Sequence, residues 1–376
     1  PIFHIIYWAF SLIVIVNFIY QLATYGRYKG LSPSVMLAFG LLILSGSLKL
    51  IPFFILLGED IFRLGSTVVS YFITNTEPPF MPERRAVVSK IALAIAAIPF
   101  TSVLYGMVKG KYNYQVIKHT LFFDDLPESF DGFTLTQISD VHSGSFDNAE
   151  KIDYGINLIN EQNSDVILFT GDIVNNMADE MDEWIPYFKR LDAKYGKYSV
   201  LGNHDYGEYV RWKTLEEKEQ CFEDIKKIHP KIGFNLLLND SVYLEKGGDK
   251  IALVGVENWG TRFRKAGDLD KASEKISKED FKILMSHDPS HWDAEVKHHP
   301  KHFHLTLSGH THGMQFGIEI PGIKWSPIKY IYKKWAGVYE ELGKYINVNR
   351  GFGFLAFPGR VGIWPEITVI TLKKKQ

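Results

Sequence analysis

Residues 5–26, IIYWAFSLIVIVNFIYQLATYG, carry no charge, and no other stretch limits the possible folds as strongly. A run of this length spans a bilayer core of about 30 Å. Residues 31–48 and 91–108 are also charge-free, at bare spanning length. Between these two runs, KLIPFFILLGEDIFRLGSTVVSYFI (49–73) is apolar but holds Lys49, Glu59, Asp60 and Arg63. It reads either as a third span with its polar residues facing the bundle, or as one long helix leaving the membrane near Gly58. Residues 1–110 are therefore expected to form an α-helical transmembrane domain of three or four spans. So many uncharged runs close together disfavour a buried soluble helical domain. Residue 1 is Pro, so the numbered chain is expected to lack its true start, with room for a further span.

The next stretch, TNTEPPFMPERRAVVSK (74–90), has three prolines and a charge cluster and reads as a loop. From Lys109 the composition becomes that of a soluble domain, which gives a second domain over residues 111–376. Charge divides at the same place. The first 110 residues carry eight Lys+Arg against four acids, and the remainder carries 34 against 39. The acidic-leaning second domain argues against a nucleic-acid surface. Cys221 is the single cysteine, so no internal disulfide forms and no thiolate site is available beyond one sulfur.

Short apolar runs recur through this domain: FTLTQIS (133–139), DVILFT (165–170), KYSVL (197–201), FNLLL (234–238), KIALVGV (250–256), FKILM (281–285), FHLTL (303–307), YINVN (345–349) and EITVITL (366–372). Helical patterns separate several of them, at 148–163, 180–194 and 211–229. Strand–helix alternation early and strand-rich sequence late predict an α/β fold, a two-sheet sandwich flanked by helices.

Chemistry-bearing residues gather where these runs stop. ISDVHSG places Asp140 and His142 after one strand, and LFTGDIVN places Asp172 after the next. VLGNHDY adds Asn203, His204 and Asp205, LMSHDP adds His287, and LSGHTHG adds His310 and His312. Residues two apart on a strand point the same way, so His310 and His312 are expected on one face. In open α/β sheets, sites lie beyond the carboxyl ends of strands. Carboxylate and amide oxygens mixed with imidazoles suit Mn, Fe or Zn better than a soft thiolate site.

In this order, the blocks DxH, GD, GNHD, H and GHxH resemble the calcineurin-like metallophosphoesterases of the membrane-associated bacterial type. The resemblance covers the chain from about residue 130 onward, including VNRGFGFLAFPGRVGIWPEITVITL near its end. It implies two divalent metal ions bridged by Asp172, one also held by Asp140, His142 and His312, the other by Asn203, His287 and His310. Two cations about 3.5–4 Å apart clamp a phosphoryl group and lower the pKa of a shared water towards about 7. The resemblance also implies that His204 faces the phosphate, stabilising the transition state or protonating the leaving oxygen. Asp205 then either orients His204 by a hydrogen bond or serves as a turn residue. Asp288 either fixes the His287 ring or caps a helix before Pro289.

Arg350 and Arg360 are weaker candidates for gripping substrate phosphate, since a guanidinium suits bidentate recognition; ion pairing is their other reading. PGIKWSPIKYIYKKWAGVY (321–339) mixes Trp325, Tyr330, Tyr332, Trp335 and Tyr339 with lysines. That mixture fits a bilayer interface, or rings that cover the core. Arg84 and Arg85 before the last apolar run resemble a twin-arginine export signal, or are ordinary positive-inside flanks. Both readings put the catalytic domain across the membrane, as does a four-span count with Arg27 and Lys29 inside. Lys109, Lys111 and Lys118 weigh the other way, and a three-span count puts Arg27 and Lys29 on the catalytic side too, favouring a cytoplasmic domain. The expected protein is a phosphoesterase of the bacterial inner membrane with an extracytoplasmic catalytic domain. It would act on a phosphate ester, diester or pyrophosphate of a membrane lipid or lipid-linked substrate. The competing readings are a non-catalytic scaffold in a membrane complex, and a transporter-like role for residues 1–110.

Overall fold

The computed structural model describes residues 2–25, 30–74 and 82–375. Three apolar helices come first: α1 (Ile2–Thr24), α2 (Pro33–Val69) and α3 (Pro82–Val108). Each is long and apolar enough to cross a membrane. Ser32 caps α2, its hydroxyl accepting from the Val35 N–H, and Pro33 supplies the fixed φ of the first turn. The 37 residues of α2 make it about 55 Å long at 1.5 Å per residue, far more than a bilayer core requires. Of the two readings of residues 49–73, the structure takes the single long helix, which passes Gly58 unbroken.

Glu59 and Asp60 then meet the start of α3. Arg85 lies 3.1 Å from Glu59 and also bonds Asp60, while Arg84 lies 3.9 Å from Glu59. Gathering the charges as pairs at one end of the helices lowers their cost in an apolar setting. The loop expected over 74–90 is corrected in its second part, since Pro82 opens α3, and proline is tolerated in a first turn. Residues 75–81, like Arg27 and Lys29, lie outside the described residues. Ala92 and Ala96 of α3 are fully buried, small side chains that let helices approach closely.

Strands β1 (Gln115–Phe123), β2 (Thr134–Ile138), β3 (Val166–Phe169), β4 (Lys197–Ser199) and β5 (Asn235–Leu236) come next. They are followed by β6 (Asp240–Lys246), β7 (Asp249–Gly255), β8 (Lys282–Met285), β9 (Leu305–Ser308), β10 (Ile318–Ile320) and β11 (Ile323–Trp325). The series closes with β12 (Gly337–Glu341), β13 (Lys344–Val348) and β14 (Glu366–Lys374). One sheet runs β1-β14-β2-β3-β4-β5, the other β12-β13-β9-β8-β7-β6, and β10-β11 is a separate hairpin.

The layers follow from side-chain alternation. Leu135 of β2 and Leu168 of β3 meet Ile283 and Leu305 of the other sheet, all fully buried. Ile167 and Phe169, one residue out of phase, pack on the opposite face against helices α4 (Ala149–Asn160) and α6 (Leu215–Lys231) through Ile152, Ile156, Ile225 and Ile228. Strand β3 is thus apolar throughout because both of its faces are covered. The outer face of the second sheet is closed by Leu269 and Trp292 over Ala252, Val254 and Leu284. The fold is the expected two-sheet α/β sandwich with flanking helices behind apolar N-terminal helices. One expected helix, 180–194, is reduced to a single turn, α5 (Ile185–Phe188). Pro186 has no N–H with which to continue a helix begun earlier.

Candidate metal centre

Strands β2, β3 and β4 are parallel neighbours, as are β8 and β9, so their carboxyl ends bring five loops together. Asp140 and His142 follow β2, and Asp172 follows β3. A short turn after β4 carries Asn203, His204 and Asp205. His287 follows β8, and His310 and His312 follow β9. Two groups of ligand atoms result, Asp140 with His142 and His312, and Asp172 with His287 and His310, each within 4.8 Å.

The contacts join these groups through the carboxylates. Asp172 Oδ2 lies 3.1 Å from His287 Nε2 and 3.5 Å from His142 Nε2. Asp140 Oδ1 lies 3.3 Å from His312 Nε2. Asn203 reaches the second group through Oδ1, 2.8 Å from His310 Nδ1, while its Nδ2 donates to Tyr209. His287 is steered by its other nitrogen, since Nδ1 lies 2.7 Å from the Thr170 carbonyl and donates to it.

The backbone here is unusual. Asp140, His142, Asp172, His310 and His312 all have positive φ, between 48° and 70°. Non-glycine residues adopt this region at a cost of about 1–3 kcal/mol and keep it where the surroundings enforce it. The enforcement is visible: the Asp140 N–H donates to the Gly171 carbonyl, and both Asp140 oxygens accept from the His310 N–H at 3.0 Å. Strand β9 ends at Ser308, so the shared-face expectation for His310 and His312 is corrected. They sit beyond the strand in left-handed backbone and serve different groups. Gly309 and Gly202 are needed for close approach, because a Cβ at either would fall 2.2 Å from an oxygen of Asp140 or Asp172 respectively.

The electrostatics ask for positive charge. Asp140 and Asp172 are both buried. Burial lowers His142 to about 3 and His310 to about 4, leaving neutral imidazoles with lone pairs to offer. Burial also acts downward on His287, but Asp172 and Asp140 outweigh it and push that ring up to about 10. Both ring nitrogens of His142, and Nε2 of His287 and His312, are buried without a hydrogen-bond partner. Buried polar atoms seldom go unpaired, and orphaned imidazole nitrogens beside buried carboxylates fit a pair of divalent cations.

Of the paired readings left open for Asp205 and Asp288, the direct bond to a histidine ring falls in both cases. Asp205 does not touch the His204 ring. Its carboxylate accepts from the N–H groups of Gly202, Asp172 and Ile173 at 2.8–2.9 Å and so fixes the loop that carries Asp172. His204 is held instead by the Asn175 carbonyl, 2.7 Å from Nδ1, and by its own N–H donating to Asp172 Oδ1. Asp288 does not bond His287; it accepts from the Ser290 N–H and the Tyr332 hydroxyl.

Arg350 and Arg360 are held by other groups of the protein. Arg350 pairs with Glu366 and Glu319, and fully buried Arg360 donates to the carbonyls of Arg350, Gly351 and Gly353. Both guanidiniums fasten the glycine-rich final loop, and Arg360 Nη2 also lies 3.2 Å from His312 Nδ1.

A pocket of about 450 Å³ opens over the two groups, lined by His142, Asp172, Asn203, His204, His310 and His312. Its remaining wall includes Asn176 and the apolar or aromatic Tyr209, Phe263 and Leu355. Gly30 and Leu31, at the entry to α2, complete it. Sequence reasoning missed these residues, and it gave Tyr332 only as an interfacial or core ring, whereas its hydroxyl is 2.9 Å from His310 Nε2. They come from separate segments of the chain, and no local pattern marks them.

Comparison with known proteins agrees with this geometry. Residues 1–111 match the family model described as "Probable Calcineurin-like phosphoesterase, transmembrane domain", and residues 133–314 match "Calcineurin-like phosphoesterase". The uncharacterized metallophosphoesterase YkuE of Bacillus subtilis is 32% identical over 272 residues, 72% of this chain and 89% of its own. A transmembrane protein with metallophosphoesterase domain from Danio rerio is 27% identical over 77% of this chain and 63% of its own. An uncharacterized metallophosphoesterase of Helicobacter pylori is 25% identical over 94% of this chain and 86% of its own.

Proposed function

Since the chain belongs to the calcineurin-like phosphoesterases, a metal-dependent phosphoesterase domain behind a transmembrane one, we propose that it hydrolyses a lipid-linked or membrane-proximal phosphate ester, diester or pyrophosphate. The observation that carries this reading is the place of Gly30 and Leu31. They belong to the entry of a membrane helix, yet they line the same pocket as His142, Asp172 and His310. A substrate reaching the metal centre there passes the edge of the membrane domain, and Leu31 and Leu355 offer it apolar contact beside the charged groups.

Asp140, His142 and His312 would hold one cation, Asn203, His287 and His310 the other, with Asp172 shared. Oxygen and imidazole donors suit Mn, Fe or Zn. Bound there, two such ions supply charge neutralisation for a phosphoryl group and an acidified water. The protein's own residues do the rest. The Asn175 carbonyl can only accept, so it keeps the proton on Nδ1 of His204 and leaves Nε2 to act on a bound group. Tyr209 packs on that ring at 4.4 Å between centroids and limits its rotation.

The test is a hydrolysis screen of the full chain in nanodiscs against lipid phosphates and soluble aryl and nucleotide phosphates, with and without Mn. Turnover is expected to favour the lipid substrates. Leu31→Asp should raise KM for them about tenfold, the scale of losing most of one leucine contact, with soluble aryl phosphate unaffected. Equal loss on both classes, or no lipid turnover at all, overturns the reading.

We place the catalytic domain outside the cytoplasm of a bacterial inner membrane. Arg84 and Arg85 stand at the opposite end of α3 from that domain, and basic residues favour the cytoplasmic side. A reporter fused after Gln376 is expected to be active only outside the cytoplasm, and activity confined to the cytoplasm reverses the orientation.

A further inference from the structure

The hairpin β10-β11 is built inside out for a protein surrounded by water. Its register pairs Ile318 with Trp325, Glu319 with Lys324 and Ile320 with Ile323. Alternate residues of a strand face opposite ways, so Ile318, Ile320, Ile323 and Trp325 form one face, and Glu319 and Lys324 the other. The charged residues are themselves exposed but reach back to the catalytic domain. Glu319 pairs with Arg350, and the Lys324 ammonium donates to the Ala336 carbonyl at 2.6 Å. The outward face is entirely apolar, its four side chains 36–55% exposed. A solvated sheet face carries polar residues. Nearby, Tyr330 and Ile331 are exposed as well.

The hairpin's position says what covers that face. Ile318, Glu319 and Ile320 line one cleft with Thr101, Ser102 and Tyr105 of α3, and Tyr105 meets Trp364 edge to face at 5.8 Å. Those three helix residues lie three to seven positions before Val108, the last residue of α3. At 1.5 Å per residue this is about 5–10 Å from the helix end, the depth at which a span leaves the hydrocarbon. Lipid that surrounds α3 at that height meets the hairpin next to it.

We propose that the apolar face of Ile318, Ile320, Ile323 and Trp325 is seated in the interfacial layer of the bilayer, a second membrane contact separate from the three helices. Aromatic and aliphatic side chains with lysines close by suit that layer. The contact fixes the height of the metal centre, because His312 lies only six residues before Ile318. Between them, Gln315 is tied to the Phe357 and Gly359 carbonyls. Arg350, through Glu319, holds the hairpin against the catalytic domain.

The test uses the full chain in nanodiscs of phosphatidylcholine and phosphatidylglycerol, one chain per disc, in a Cys221→Ser background. Spin labels are placed at Ile320→Cys, Ile323→Cys and, as a reference, Phe122→Cys, an exposed residue seven positions along β1 from its start. Power saturation with oxygen and a water-soluble nickel chelate reads the surroundings of each label. Retained turnover on a soluble aryl phosphate shows that each labelled chain is folded. The hairpin labels are expected to be more accessible to oxygen than to nickel, with Phe122 the reverse. Hairpin labels that favour nickel as Phe122 does would overturn the proposal by placing the face in water. Labels shielded from both reagents would overturn it in favour of a protein cover.

Discussion

Asp172→Asn is expected to leave the full chain with fewer than two metal ions and to lower turnover by roughly 10³-fold or more. The reasoning starts from the carboxylate's position. One oxygen faces His287 and His142, and the other accepts the His204 N–H. It is in contact with residues of both ligand clusters and with the turn that carries Asn203. Asparagine keeps the shape, and one oxygen can still accept from His204, so the loop should stay in place. What is lost is a negative charge between two cation positions, together with one of the two oxygens needed to bridge them. Elemental analysis of the purified variant reads the result directly. Two ions per chain in Asp172→Asn would remove Asp172 from the bridge, whatever happened to turnover. In the wild type, a chelator should abolish activity and Mn should restore it.

The second large effect is expected at His204, with the opposite metal outcome. His204→Ala should keep both ions and lose roughly 10²–10⁴ in turnover, the usual scale for a positioned acid or base. Its ring approaches the ligand clusters edge to face at His142, 4.9 Å between centroids. The loss should shrink for aryl phosphodiesters, whose leaving groups need little protonation. Comparable losses for good and poor leaving groups would assign His204 to charge stabilisation. Loss of a metal in His204→Ala would make the residue a ligand and sink this division of roles.

The seven candidate ligands were legible because each sits just past a short apolar run, and a strand end is a local feature that sequence displays. How those residues are oriented was not legible. The step from His310 to His312 looks like strand alternation, but the strand has already stopped, and left-handed backbone turns the two rings to different groups. Asp205 stands beside His204 in the sequence, which suggested a direct bond. The tight turn sends its carboxylate back to the loop after β3, and only tertiary structure shows that.

Arg350 and Arg360 looked like phosphate ligands by residue type. Their partners, Glu319, Glu366 and the carbonyls of a folded-back loop, are brought near by long-range packing. In the membrane domain, apolar runs identified the helices, while the contact of Gly30 and Leu31 with the pocket joins residues more than a hundred positions apart. Strand β1 escaped notice for a related reason. Its alternation is half-exposed and broken by Lys118 and His119, and its partner is the last strand of the fold.

That partnership has a consequence for how the protein is made. Strand β14 lies between β1 and β2, parallel to one and antiparallel to the other. Until residues 366–374 have been synthesised, β1 and β2 each present an unpaired edge, and β1 is already tethered to a helix in the membrane. The loop bearing Asp140 and His142 hangs from one of those open edges. Non-local pairing of this kind forms late and leaves sheet edges open to wrong partners meanwhile. The nascent catalytic domain therefore waits, metal loops unformed, for its final strand to slide into a gap near the bilayer. Any chain stopped short of Glu366 would reach the membrane with its helices complete and its chemistry never assembled.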